Sequence, residues 1–426
     1  MRKRTIVLGF LVTLSVLTFI DRLCIAVAGP RIQQDLGLTP EQWGWVLGAF
    51  VLAYGLFEIP TGAMGDRTGQ RKVITRIVLW WSAFTALTGS VNSFLPLVAT
   101  RFLFGAGEAG AYPNMAGVTA RWFPPPERAR TQGFIWGASR AGGALAPLIV
   151  VPLQAAFGWR ASFWIFGMAG VLWCALWWWW FRDTPAQKNG ISEAELAEIG
   201  PPSAAVHGAP WLVLLRSRQI WTIVGMYGAY AWGSWFYFSW LHTWLVKGRG
   251  FTEAEMGLFS ALPFAVGAVA NVAGGFLSDA AVRVFGPAHG RKLVGSVCLA
   301  AGSLLLVATA LTQSKTAAVV LLTAGFGVMD LMLPSAWALC LDVGGARAGA
   351  VTGAMNTAGQ FGGFLCTVVF GQIVGRFQSY DAPLFVIAGM VALSAFLFTR
   401  IDVRRPLFGE SAPPAAEPAA ALRGER

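Results

Sequence analysis

The residues best placed to do chemistry are ionisable groups inside long apolar runs: Asp21 and Arg22, Glu58, Arg101 and Glu108, Arg140, Asp330 and Asp342. A charge at the centre of a bilayer costs on the order of 3 kcal/mol unless it is paired or lines a wet cavity. Arginine keeps its charge and grips a carboxylate in bidentate fashion, so Arg22, Arg101 and Arg140 are candidate receptors for an anion. Protonating a carboxylate beside a guanidinium removes the ion pair and frees the arginine, which makes Asp21 and Glu108 candidate proton-coupling groups. Neighbouring helix positions point about 100° apart, so Asp21 and Arg22 can serve different partners. Arg101 and Glu108 are seven residues apart, two helical turns, and so share a face with about 10 Å of rise between them. The competing reading is an ion-pair network that only fixes helix packing.

Around these charges, Tyr54, Tyr230, Tyr237, Trp337, Asn356 and Gln360 could bind solute hydroxyls, with ordinary packing as the alternative for the rings. Tyr230, Ser234 and Tyr237 fall near one helical face, as do Asn356 and Gln360. A separate group, Gly62, Asp66, Arg67, Gly69, Arg71 and Lys72, forms a short polar hinge, and its G-x-x-x-D start returns at Gly275 to Asp279. The two aspartates lie 213 positions apart, half of 426. Gly133, Gly142 and Gly143 echo Gly353, Gly362 and Gly363 at an offset of 220, so the chain reads as two related halves. The hinge is expected to latch an inner gate.

The elements that must carry these groups are membrane helices. Hydrophobic residues make up 55% of the chain, charged ones 12%, and the mean hydropathy is +0.57, too apolar for a water-soluble surface. Without water every backbone N–H and C=O has to be satisfied inside a helix of roughly 20 residues. Twelve stretches qualify, near 5–29, 42–64, 73–92, 95–119, 131–155, 160–181, 217–246, 254–279, 291–312, 316–341, 346–374 and 382–401. The expected fold is all-α and polytopic, with an N-terminal six-helix bundle over 1–181, a cytoplasmic linker over 182–216, a C-terminal six-helix bundle over 217–402 and a disordered tail over 403–426. One short amphipathic helix is expected at 191–199.

Most of the 32 lysines and arginines fall on one side of this map, among them Arg2, Lys3, Arg4, Arg128, Arg130, Arg216 and Arg218. That places both termini in the cytoplasm. The net charge of +11 is thus an orientation signal, and no soluble basic domain exists to bind nucleic acid. Cys24, Cys174, Cys298, Cys340 and Cys366 lie in spans without metal-ligand spacing, so neither disulfides nor a metal site is expected. The first span keeps Asp21 and Arg22 and has no small-residue cleavage site, unlike a removable signal peptide. An intramembrane enzyme would need a motif such as H-E-x-x-H or G-x-S-x-G, and a sensor would need a sizeable soluble output domain; neither is in the sequence.

Gly65 to Lys72, GDRTGQRK, resembles the helix 2–3 loop signature of the major facilitator superfamily. FIDR (19–22), EQWGWVLGAF (41–50), RFLFGAGEAGAYPN (101–114), RWFPPPERAR (121–130) and FGWRASFWIFG (157–167) resemble its anion:cation symporter family more specifically. That resemblance implies two pseudo-symmetric bundles and an organic-anion carrier, often proton-coupled. It assigns proton-linked roles to Asp21 and Glu108, associates Arg22 and Arg101 with them, and puts Tyr54, Trp337 and Asn356 in the central cavity. Thr18-Phe19 stands where sugar-acid members commonly carry Asn-Tyr, and Arg140 and Asp342 match no family pattern. These two are expected either to pair across the halves or to leave Arg140 for a second carboxylate. The function expected is proton symport of a hexuronate, aldonate or similar anion by alternating access, in a monomer of the inner membrane with no cofactor beyond the coupling proton. A uniporter or exchanger of an aromatic acid or dicarboxylate is the alternative.

Overall fold

The computed structural model describes residues 2–200, 216–344 and 348–402. The rest of the expected linker, the 403–426 tail and Arg404 and Arg405 lie outside the described residues. Every regular element among the described residues is helical. In chain order they are α1 Lys3–Val27, α2 Gly29–Asp35, α3 Pro40–Thr68, α4 Gln70–Thr88, α5 Phe94–Glu108, α6 Ala111–Trp122, α7 Pro125–Phe157 and α8 Trp159–Trp180. After α9 Glu193–Ile199 come α10 Arg218–Ser239, α11 Leu241–Thr243, α12 Glu253–Gly286, α13 His289–Leu311, α14 Lys315–Asp330, α15 Leu333–Gly344, α16 Ala348–Phe377 and α17 Ala382–Arg400. A short 3-10 turn precedes α9 at Pro185–Gln187, and α11 runs on into a π turn at Trp244–Gly248. Counting α1 with α2, α5 with α6, α10 with α11 and α14 with α15, and leaving out the short α9, these make twelve passes. Among the described residues eight helical stretches, with α14 and α15 taken as one, are long and apolar enough to cross a membrane on length and composition alone.

Local chemistry sets the ends. Thr39 Oγ1 accepts the amide of Gln42 at 3.3 Å while Gln42 Oε1 accepts that of Thr39 at 3.0 Å, and Pro40 fills the first turn of α3. The same reciprocal cap at Thr252 and Glu255 starts α12. Between α3 and α4, Gly69 turns with φ of 90°, a left-handed conformation that costs glycine nothing.

Besides the seventh pass, interrupted at Trp240 between α10 and α11, two passes expected as single spans are interrupted. Helix is lost at Ala109 and Gly110, between α5 and α6, and again at Leu331 and Met332, between α14 and α15. Pro113 and Pro334 follow each gap within the first turn of the next segment. Neither can donate an i→i−4 bond, and each ring crowds the carbonyl four residues back, so the helix restarts instead of continuing. Both breaks fall just after a carboxylate, Glu108 and Asp330.

In the first half α1 packs on α7, α3 on α5 and α4 on α8; in the second, α10 packs on α16 and α17 and α14 on the α12–α13 pair. The halves meet along α3 with α16 and α7 with α12. The α9 helix ties to the start of α1: Glu195 accepts the amides of Lys3 and Arg4, and Glu198 pairs with Arg2 and Arg4. That side of the molecule is the linker face. At the far face Arg31 pairs with Glu253 at 2.6 Å and donates to the Gln154 carbonyl at 2.7 Å. Lys247 there donates to Gln33 at 3.0 Å, and Gln33 donates to Thr243 at 3.2 Å. Gly44 and Gly371 let α3 and α16 touch backbone to backbone: a Cβ on Gly44 would stand 2.8 Å from the Thr367 carbonyl oxygen. Trp177 stacks on Phe181 at 3.8 Å in the core, while Trp178 and Trp179 are exposed.

Candidate functional site at the helix breaks

Asp21 and Arg22 leave α1 in different directions. The Arg22 guanidinium pairs with Glu108 at the end of α5 and lies among four rings, 4.5 Å from Tyr54, 5.3 Å from Phe19, 5.6 Å from Phe50 and 5.7 Å from Tyr112. Ring faces attract a cation without neutralising it, so the cage holds Arg22 in place and leaves its charge for an anion. Asp21 turns to the other side, where Arg101, Glu108 and Trp81 are its charged and polar neighbours. Arg101 lies over Phe104 at 4.4 Å and Phe50 at 5.1 Å.

Asp21, Arg101 and Glu108 are all but sealed from solvent, at 3%, 2% and 0% exposure, yet their hydrogen bonding is incomplete. Asp21 Oδ1, Arg22 Nη2, Arg101 Nε and Glu108 Oε2 have no hydrogen-bond partner among the described residues. Buried groups left this way are uncommon and mark places where a ligand, water or proton belongs. Four of the six charges expected in first-half spans, Asp21, Arg22, Arg101 and Glu108, therefore come together as one cluster.

Two further links join the halves. Asn356 on α16 donates from Nδ2 to both carboxylate oxygens of Glu58 on α3, at 2.8 and 2.9 Å. Arg140 on α7 pairs with Asp330 on α14 at 3.2 Å, and the Tyr230 hydroxyl donates to the same carboxylate at 3.4 Å. Of the two alternatives read from the sequence, the pairing of Arg140 with Asp342 is not formed; the structure gives Asp342 to Arg291 instead. Asp342 is twelve residues beyond Asp330, about 18 Å along a helix, too far to reach the same partner. Glu58 and Asp330 were visible as charges in spans, but nothing local reveals a partner on another helix.

The remaining expected residues are placed as follows. Trp337 is half-buried beside Tyr227. Gln360 packs on α3 at Gly55, its Oε1 without a partner among the described residues. Tyr237 is fully buried and its hydroxyl donates to the Leu322 carbonyl at 2.8 Å, so it fastens α10 to α14 and does not face Arg22.

In the hinge, Gly62 packs against Pro113, and Gly69 lies against the Asp183 carboxylate, which accepts the Arg71 amide at 2.8 Å. The Arg71 side chain donates to the Trp178 carbonyl, while Arg67 and Lys72 are exposed. Asp66 falls in the last turn of α3, and Asp279 is exposed on α12 near Arg291. None of these contacts crosses from one bundle to the other.

Residues 11–367 match the family described as Major Facilitator Superfamily. The chain is 35% identical over 409 residues to a probable sulfoacetate transporter of Cupriavidus necator, covering 92% of this chain and 93% of that one. It is 28% identical to a hexuronate transporter of Bacillus subtilis, covering 96% and 97%, and 28% identical to a probable L-galactonate transporter of Escherichia coli, covering 95% and 90%. Its fold matches a crystal structure of a bacterial homolog of the human lysosomal transporter Spinster in an inward-facing, occupied conformation, with a TM-score of 0.79, 20% identity and coverage of 93% and 96%. With twelve helical passes, a match across most of its length and relatives of the anion:cation symporter type, this multi-pass membrane protein belongs to the major facilitator superfamily of transporters.

Proposed function

We propose that the protein moves a small organic anion across the membrane by proton-coupled alternating access, with Arg22 as the anion receptor. The observation that carries this reading is the caged Arg22–Glu108 pair, whose free Nη2 and Oε2 atoms sit beside unpartnered Asp21 and Arg101 atoms. Hexuronate, galactonate and sulfoacetate share a carboxylate on a short polar skeleton, and a guanidinium matches that group in bidentate geometry. A sugar acid or short sulfonated acid is the solute class. Thr18 and Phe19, well inside α1 beside Asp21 and Arg22, offer no phenol, which favours a solute less rich in hydroxyls.

In the proposed cycle Glu108 takes a proton as the anion takes Arg22, so neither charge is left bare. Asp21 beside Arg101 supplies the second titrating group. Residues 1–181 and 217–402 then rock against each other, the far-face links of Arg31 and Gln33 part or form, and the site changes sides. The linker face is the cytoplasmic one in this reading, and the exposed hinge of Arg67 and Lys72 is free to close against the second half in the opposite state.

The test is a thermal-shift and calorimetric screen of purified protein against galacturonate, galactonate and sulfoacetate, in wild type and in Arg22→Gln. Loss of a charge-assisted pair should weaken binding by roughly tenfold to a hundredfold. Undiminished affinity in Arg22→Gln removes Arg22 as the receptor.

A further inference from the structure

Glu108 and Asp330 occupy corresponding places in the two halves, 222 positions apart. Each is the last residue of a helix segment before a proline-made break, and each is fully buried. Each is matched with an arginine, Arg22 in the first case and Arg140 in the second. Tyrosines attend both, with Tyr54 and Tyr112 around Arg22 and Tyr227 and Tyr230 near Arg140 and Asp330. Broken helices at a repeat interface are where carriers of this architecture place solutes and coupling ions.

The two arrangements also adjoin. Phe19, over which Arg22 lies, meets Phe238 at 6.1 Å, and Arg140 lies 5.7 Å from Phe238. The guanidiniums thus flank one pair of rings. The Asp330 carboxylate fits only because Gly267 on α12 has no side chain; a Cβ there would stand 2.8 Å from Asp330 Oδ2.

A lock that merely joined the halves would be an awkward use of these residues. Arg140 belongs to the first half and Asp330 to the second, so rocking that parts α7 from α14 strands two buried charges. An anion on Arg140 and a proton on Asp330 would satisfy both. Resting on the reading of Arg22 as the first receptor, we infer that Arg140 is a second anion subsite and that the solute is a diacid, one acidic group for each arginine. Asp330 is the group Arg140 releases when the second acid arrives. Together the cluster and the links across the halves hold Arg22, Arg101 and Arg140 against Asp21, Glu58, Glu108 and Asp330, and a dianion accompanied by two protons leaves that total charge unchanged.

The test compares diacids with monoacids of matched skeleton on the purified full-length protein: D-glucarate against D-gluconate, and sulfoacetate against 2-hydroxyethanesulfonate. In at least one pair the diacid should bind roughly tenfold tighter. Arg140→Gln should weaken that diacid by a similar factor and leave the monoacid within about twofold. Asp330→Asn keeps Arg140 and removes its competitor, so diacid affinity should hold or rise; this variant carries the test if Arg140→Gln does not fold. Equal binding of both members of each pair, equal weakening of both by Arg140→Gln, or diacid loss in Asp330→Asn overturns the second subsite while the Arg22 reading stands. Failure of all four probes to bind wild type removes both readings.

Discussion

A guanidinium held by four rings and one carboxylate is ready to exchange that carboxylate for another, and Arg22 is such a group. Asp21, Arg22, Arg101 and Glu108 were legible in the sequence because a charge within an apolar run has few reasons to be there. Their division of labour was legible only in part. Adjacent positions on α1 had to diverge, but which side met Glu108 depended on how α5 packs. The links of Glu58 to Asn356 and of Arg140 to Asp330 were not legible at all, since residues on separate helices and in separate halves meet only through tertiary packing. Outside the spans, Arg160 at 2.5 Å and Trp159 at 3.2 Å hold the Asp35 carboxyl below the usual carboxylate range. A depressed folded-state pKa gives stability that is present above the unfolded value, about 4, and is lost as pH falls through the folded one. Melting temperature should therefore fall less steeply below about pH 4 in Asp35→Asn than in wild type. Identical slopes would deny Asp35 this role.

At the scale of elements, the twelve apolar stretches correspond to the twelve passes, while caps such as Thr39 with Gln42 and Thr252 with Glu255 set individual helix starts locally. It read through the two breaks. Pro113 and Pro334 were in view, yet the apolar pattern runs on past them, and whether a proline kinks or stops a helix depends on what surrounds the freed carbonyls. The close approach of α3 to α16 was not foreshadowed by the repeated glycines, since Gly362 and Gly363 face α10 while Gly44 and Gly371 make the α3–α16 contact. Gly44→Leu would push a side chain into the Thr367 backbone, so the far-face seal should open. Spin labels at Gln34→Cys and Ala254→Cys, with the native cysteines replaced, should show a longer distance population in Gly44→Leu. An unaltered distribution would mean that this contact does not control the seal.

Over the whole molecule, the duplication announced by Asp66 and Asp279 returns in the paired breaks after Glu108 and Asp330, so the internal symmetry extends from the hinge to the charged centre. What the sequence could not fix is which face is sealed, because a carrier uses the same residues in every state. Here Arg31 with Glu253 and Lys247 with Gln33 join the halves at the far face. The proposed coupling gives such a device its direction: a proton gradient of one pH unit supplies about 1.4 kcal/mol per proton, enough for tenfold accumulation. The most direct measurement is uptake of a bound anion, together with internal acidification, in proteoliposomes carrying wild type or Glu108→Gln under an imposed pH difference. Wild type is expected to accumulate the anion and acidify the lumen, while Glu108→Gln exchanges anion across the membrane without accumulating it. Accumulation by Glu108→Gln equal to wild type, or wild-type uptake indifferent to the pH difference, would contradict proton coupling through the Arg22–Glu108 pair.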